Sequence, residues 1–163
     1  MVSVRAVTRI ASGFLHRPDP NALLVGPTGL LLGADQQTLY VADTGNNRIQ
    51  RLSGVRMAHT DQGPSTTVFG GAPLKGPLAL AWSPRRTIVA SNGDAAGDPA
   101  TPPNMVVEID PLLGQVLATR QLDTSAVPGA LFGIAIAAVG DEPSLIYVND
   151  NTATLNVLPR RER

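Results

Sequence analysis

The sequence contains no cysteine and only one lysine, Lys75. Without cysteine there are no disulfides, thiolate metal sites or cysteine nucleophile. Acidic and basic residues balance at 13 each. The basic excess that nucleic-acid and anionic-membrane binders use is therefore missing, and neither partner is expected. Long hydrophobic runs are absent too. The longest, Ala130 to Val139, is too short to cross a bilayer. The opening stretch MVSVRAVTRIASG alternates instead of forming an apolar block, so no signal peptide is expected there. The expectation is a soluble chain whose compartment stays open. Aromatic side chains are few (one Trp, two Tyr, three Phe), so a core must be built from Val, Ile, Leu and Ala. Histidine is scarce as well. His16 and His59 are each lone, lack a second ligand at metal-binding spacing, and read as solvated loop side chains. No Gly-x-Ser-x-Gly elbow and no Gly-rich loop opening a helix is present, which removes support for a serine hydrolase of that type and for phosphate cradling.

What the chain does have is turn chemistry and repetition. It holds 16 glycines and 14 prolines, a load that interrupts helices and favours short strands with tight turns. Three segments share one grammar: residues 26–52, 76–110 and 130–158. Each has a short apolar run, a polar turn, a β-rich run ending in a polar pair, another turn and an alternating run. The run Leu39–Asp43 is aligned with Ile88–Ser91 and with Ile146–Asp150. Each unit thus supplies strands a, b and c. A fourth strand, d, is expected at 66–71 after the first unit and at 115–122 after the second. The third unit has none. Residues 7–13 resemble the strand at 66–71 and are read as an orphan outer strand d. Four short strands per repeat of this length fit a propeller blade. The rival reading, a buried helix at 130–139, is disfavoured by Gly133 and its flanking glycines.

The segment from Leu39 to Leu52, LYVADTGNNRIQRL, resembles the signature of NHL repeats. The residues that carry the resemblance are Val41, Ala42, Asp43, Gly45, Asn46, Asn47, Arg48 and Ile49. In the second unit Asn92-Gly93 survives and Met105-Val106 replaces Arg-Ile. In the third, Tyr147, Val148 and Asp150 survive, with Thr154-Leu155 at the Arg-Ile position. The motif also has a structural reading of its own. Asp43 ends a strand and can accept turn N–H groups. Gly45 and Asn46 tolerate left-handed backbone. Arg48 can pair with Asp43 across the turn, leaving Asp43, Gly45, Asn47 and Arg48 as turn-building residues.

In a propeller the b–c and d–a connections share one face. That face would gather the candidate binding residues Asp43, Asn46, Asn92, Asp94, Asn149 and Asp150, with Asp98 and Asn151 nearby. Their hard oxygens suit Ca²⁺, for which Asn92, Asn149 and Asp150 are the candidate ligands. No cofactor other than Ca²⁺ is suggested. The chain resembles gluconolactonase-like and lyase-like propellers in architecture, and that resemblance implies a cation on the channel axis. An obvious carboxylate at the inner strand position is missing. The expected fold class is all-β, a β-propeller with three four-stranded antiparallel blades in 1–163 (26–71, 76–123 and 129–158), completed by a homodimer or belonging to a longer propeller. The expected function is a binding or scaffolding module that meets a protein or small-molecule partner through loops on one face. The alternative is a cation-dependent lactonase-like or lyase-like enzyme. Two open blade flanks, lined by Leu30, Leu32, Ile88, Ile134 and Ile136, would expose apolar surface in a monomer. A two-fold dimer in which Val7–Ala11 of each chain pairs with the free edge at 154–158 of the other would close them.

Overall fold

A computed structural model describes residues 6–20, 23–93 and 101–159. Among these, helix is limited to three-residue 3-10 turns at Thr44–Asn46, Val55–Met57 and Asp150–Thr152. A short hairpin, β1 (Arg17–Asp19) with β2 (Leu23–Val25), precedes three antiparallel sheets. The first sheet runs in the order β3 (Pro27–Leu32), β4 (Leu39–Asp43), β5 (Arg48–Leu52) and β6 (Thr66–Gly70). The second repeats that order with β7 (Pro77–Trp82), β8 (Ile88–Asn92), β9 (Met105–Asp110) and β10 (Gln115–Gln121). The third has β11 (Ile134–Val139), β12 (Glu142–Asn149) and β13 (Thr154–Pro159), leaving β13 as an edge strand. The run at 130–139 is therefore largely strand.

Each sheet buries one face on the next, because alternate side chains of a strand point to opposite faces. Tyr40, Ala42 and Ile49 of the first sheet pack against Leu80, Ile88, Ala90, Met105, Val107 and Ile109 of the second. Val89 and Val106, on the second sheet's other face, pack with Ala130 and Leu131 and with Ile134, Ile136, Leu145 and Tyr147 of the third. Burying one such aliphatic side chain contributes about 1.5–3 kcal/mol relative to leaving it exposed. At the inner strands the blades touch through backbone. Thr28 Oγ1 donates to the Leu78 carbonyl at 2.9 Å, and Thr44 Oγ1 donates to the Pro77 carbonyl at 2.9 Å. A Cβ at Gly29 would collide with the Leu78 carbonyl, so only glycine allows this approach.

Three expectations need correction. Residues 7–13 form no strand in this chain. They run beside the 62–63 loop, where Gln62 N donates to the Ile10 carbonyl (3.1 Å) and Ser12 N to the Gly63 carbonyl (3.4 Å). An alternating pattern makes an extended segment, but a strand also needs a ladder partner. Ile10, Ala11 and Phe14 stand along the first blade's flank, where they line a groove of about 360 Å³ with Pro27, Leu30, Leu39, Val41 and Leu52. Strand exchange would have to lift this segment away.

The second correction concerns the register between units. Asp43 lies opposite Arg48, Asn92 opposite Met105, and Asn149 opposite Thr154. The residues that end strand b are thus Asp43, Asn92 and Asn149. Ser91 and Asp150 are each one place off. The third correction is conformational. The left-handed residue of the b–c turn is Asn47 (φ 50°), with Asn104 (φ 60°) and Ala153 (φ 53°) at the corresponding places. Gly45 is needed for space instead: a Cβ there would fall 2.6 Å from Leu15 Cδ2 and 2.9 Å from Val25 Cγ1.

Candidate functional site

The strand-b ends, b–c turns and d–a links meet at one end of the blades. Asp43 is fully buried, and its Oδ2 accepts Arg48 Nε at 2.7 Å, Asn46 Nδ2 at 2.9 Å and Gln50 Nε2 at 3.3 Å. The carboxylate is held by side chains, where turn N–H groups were expected. Its Oδ1 is buried without a hydrogen-bond partner. Asn92, also fully buried, holds the link that enters the second blade: Lys75 N donates to its Oδ1 at 2.5 Å, and its Nδ2 donates to the Pro73 carbonyl at 2.6 Å. Asn149 donates Nδ2 to Asp123 Oδ2 at 2.9 Å, while its Oδ1 is buried and unpartnered. The three homologous positions therefore bond to three different segments. Asp150 is exposed at the start of its 3-10 turn. Asp94 and Asp98 lie outside the described residues. Among the described residues, no group of three or more His, Asp or Glu side chains could hold a metal ion. His16 and His59 are exposed.

Two asparagines that were not singled out for this role join the blades. Asn47 Oδ1 accepts Gly76 N at 2.7 Å, and Asn104 Oδ1 accepts Ala130 N at 3.1 Å. Gly76 and Ala130 occupy corresponding places just before strand a of the second and third units. Each b–c turn thus grips the entry to the following blade, and the left-handed backbone that asparagine tolerates aims the amide there. Ala153 in the third blade has no such group. The signal in the sequence was an asparagine directly before strand c in two of three units.

The link from the second to the third blade is held from several sides. Asn104 Nδ2 donates to the Val127 carbonyl at 2.7 Å. Asn151 Nδ2 donates to the same carbonyl at 2.9 Å and to Ser125 Oγ at 3.1 Å. Asp123 Oδ1 accepts Ser125 N at 2.6 Å. Hydrogen bonds from Ser125, and then from Asn149 and Asn151, hold the Asp123 carboxyl below the usual carboxylate range. On this fixed loop Val127 and Phe132 stand 60% and 51% exposed.

The opposite end carries a groove between the first and second blades, with a volume of about 440 Å³. Its wall includes Tyr40 and Trp82, whose rings meet edge to face with centroids 5.4 Å apart. Asp35, Arg86, Pro111 and Leu112 complete the rim. Burial raises the Tyr40 phenol pKa above its ordinary value, with Arg51 pulling it down and Asp35 pushing it up. None of these residues belonged to the candidate set.

Among curated protein sequences, none matches this chain. Residues 24–52 match the NHL repeat family. Similar solved structures include virginiamycin B lyase from Staphylococcus aureus (17% identity, TM-score 0.51), which covers 87% of this chain and 43% of its own. Regucalcin, a calcium-binding protein from Agrobacterium tumefaciens strain C58, is 15% identical with a TM-score of 0.53 and covers 85% of this chain and 48% of its own. Luciferin-regenerating enzyme is 12% identical with a TM-score of 0.52 and covers 83% and 44%. The chain spans less than half the length of these proteins, and at such identity the likeness shows fold alone. No helix among the described residues is long and apolar enough to cross a membrane. The chain is all-β, three consecutive blades of a β-propeller of which the first carries an NHL repeat at residues 24–52.

Proposed function

We propose that this chain is a binding module that recognises a partner through the loops where the b–c turns and d–a links meet. The observation that carries the reading is a division of labour at that end. The polar side chains are engaged in holding the loops: Asn92 on residues 73 and 75, Asn104 on 127 and 130, Asn149 on Asp123. The apolar Val127 and Phe132 are left outside on a loop those bonds hold in place. Preorganised loops lose little entropy on binding, and an exposed aromatic beside a polar rim suits a protein partner with an apolar anchor. Asp150 and Asn151, both exposed, supply the rim.

Selection of displayed peptides on the immobilised protein tests this. Binders should emerge whose affinity falls about tenfold or more on Phe132→Ser or Val127→Asp. Binders indifferent to both substitutions would refute the surface.

A second reading, a cation-dependent lactonase-like or lyase-like enzyme, is favoured by the two buried unpartnered oxygens, Asp43 Oδ1 and Asn149 Oδ1. The calcium-binding and lyase names among its fold relatives point the same way. It requires that Ca²⁺ raise the melting temperature over a chelator control, since a ligand that binds only the native state stabilises it. It also requires Ca²⁺-dependent lactone opening or elimination. The binding reading expects neither.

A further inference from the structure

We propose that the groove between the first and second blades is a binding site for a small planar apolar carboxylate. It lies at the end opposite the loops just described and does not depend on them. The groove's volume, about 440 Å³, falls within the range of small-molecule sites, which is roughly 300–1,000 Å³.

The lining selects the ligand. Tyr40, Trp82, Pro111 and Leu112 supply an apolar, ring-bearing wall suited to a flat molecule. The polar groups within reach are mostly taken. Trp82 Nε1 donates to the Leu32 carbonyl at 2.8 Å. Asp35 turns inward on its own turn, its Oδ1 accepting Gln37 N (3.0 Å) and Thr38 N (2.9 Å) and its Oδ2 accepting Thr38 Oγ1 (2.7 Å). The Arg86 guanidinium has no ion-pair partner among the described residues. A ligand that fills the wall can gain a charge-assisted contact by bringing an anion to Arg86, and a carboxylate matches the guanidinium fork, while the Asp35 carboxylate is occupied by three hydrogen bonds within its own turn.

The site is also built. Leu112 projects from a turn in which the Leu112 and Leu113 amides both donate to Asp110 Oδ1, at 2.8 and 3.0 Å. The turn at Gly114 nests under the first blade, where a Cβ would meet the Val68 carbonyl at 2.5 Å. The aromatic pair has no counterpart at the second junction: Val89 stands where Tyr40 is, and Ile136 where Trp82 is.

Trp82 is the only tryptophan, so its indole N–H gives a single reporter resonance. The test titrates isotope-labelled protein with a naphthalene carboxylate and, separately, with its neutral carboxamide. The carboxylate should shift the indole resonance saturably, and the amide should bind about tenfold more weakly, as expected for loss of one charge-assisted contact. Arg86→Gly is the matching variant. Arg86 has φ 61°, a left-handed conformation that glycine adopts without strain, so the turn survives while the guanidinium goes. In that variant acid and amide should bind alike. No shift of the indole resonance up to the solubility limit, equal affinity of acid and amide for the unaltered protein, or an unchanged preference in Arg86→Gly would each overturn the proposal.

Discussion

The buried pair Asp43–Arg48 invites a test whose control is already written into the neighbouring blades. Asp43 is fully buried, and Arg48, whose side chain is 30% exposed, reaches it at 2.7 Å. Removing one partner of a buried pair leaves an uncompensated charge and costs about 3–5 kcal/mol. Two features lower that figure for Arg48→Ala. The arginine is partly solvated, and Asn46 and Gln50 continue to donate to Asp43 Oδ2. The expected loss is therefore about 2–3 kcal/mol, or about 5–10 °C in melting temperature for a chain of this size.

The second blade fills the same two positions with Asn92 and Met105, and the third with Asn149 and Thr154. The double variant Asp43→Asn with Arg48→Met imports the second blade's solution. It should fall within about 1 kcal/mol of the unaltered protein, since a buried ion pair can often be replaced by neutral groups at little net cost. The assay is urea unfolding of the unaltered protein, Asp43→Asn, Arg48→Met and the double variant, with Arg48→Ala alongside, read as midpoint and slope, and a coupling energy of about 1.5–2 kcal/mol is expected between the two sites. If Arg48→Ala proves as mild as the double variant, the ion pair is not what anchors the NHL turn. If the double variant is as damaging as Arg48→Ala, the positions are not equivalent across blades.

Three further outcomes are expected. Asn104→Ala removes the acceptor for Ala130 N and the donor to the Val127 carbonyl, and should cost about 2–4 kcal/mol in urea unfolding; Ala153→Gly, which relieves left-handed backbone at the corresponding turn, should gain about 1 kcal/mol, and a loss there would contradict the reading. The Asp123 carboxyl is held below its usual range in the folded chain, so the unfolded state takes up the proton first; that contribution is complete above the ordinary carboxylate pKa of about 4 and is lost as pH falls through the lower folded value, and Asp123→Asn should flatten the acid limb of melting temperature against pH. Val148, Leu155 and Val157 stand 38%, 72% and 49% exposed on the third blade's outer flank, where a second copy is expected to dock, so sedimentation should show concentration-dependent dimer that Leu155→Asp abolishes; a monomer throughout would dismiss self-association.

The fold was legible because its signals are local and repeated. Strands bounded by Gly, Asn, Asp and Pro recur with a fixed grammar, and β3 to β13 lie where that grammar puts them. The register of the repeat was harder. Anchoring on the acidic side chain pairs Asp43 with Asp150, yet the backbone pairs Asp43 with Asn149, and the left-handed residue four places later, Asn47 or Ala153, fixes the true alignment. Side-chain identity is a weaker marker of register than backbone conformation, because Asn and Asp exchange freely at a buried strand end while the turn's geometry does not. The N-terminal segment failed for a different reason: alternation describes an extended chain, and only the position of a sheet edge decides whether it becomes a strand. The groove was invisible for a third reason. Tyr40, Trp82, Arg86 and Leu112 come from a strand, the end of another strand and two turns, on two blades, and no spacing within one repeat brings them together. Sites formed between repeats are set by how one blade seats on the next. Here the seating of the second blade on the first, which frames the groove, is held at the other end of the strands by the Asn47 amide on Gly76 N, so loosening that clamp should disturb the groove from a position that does not touch it.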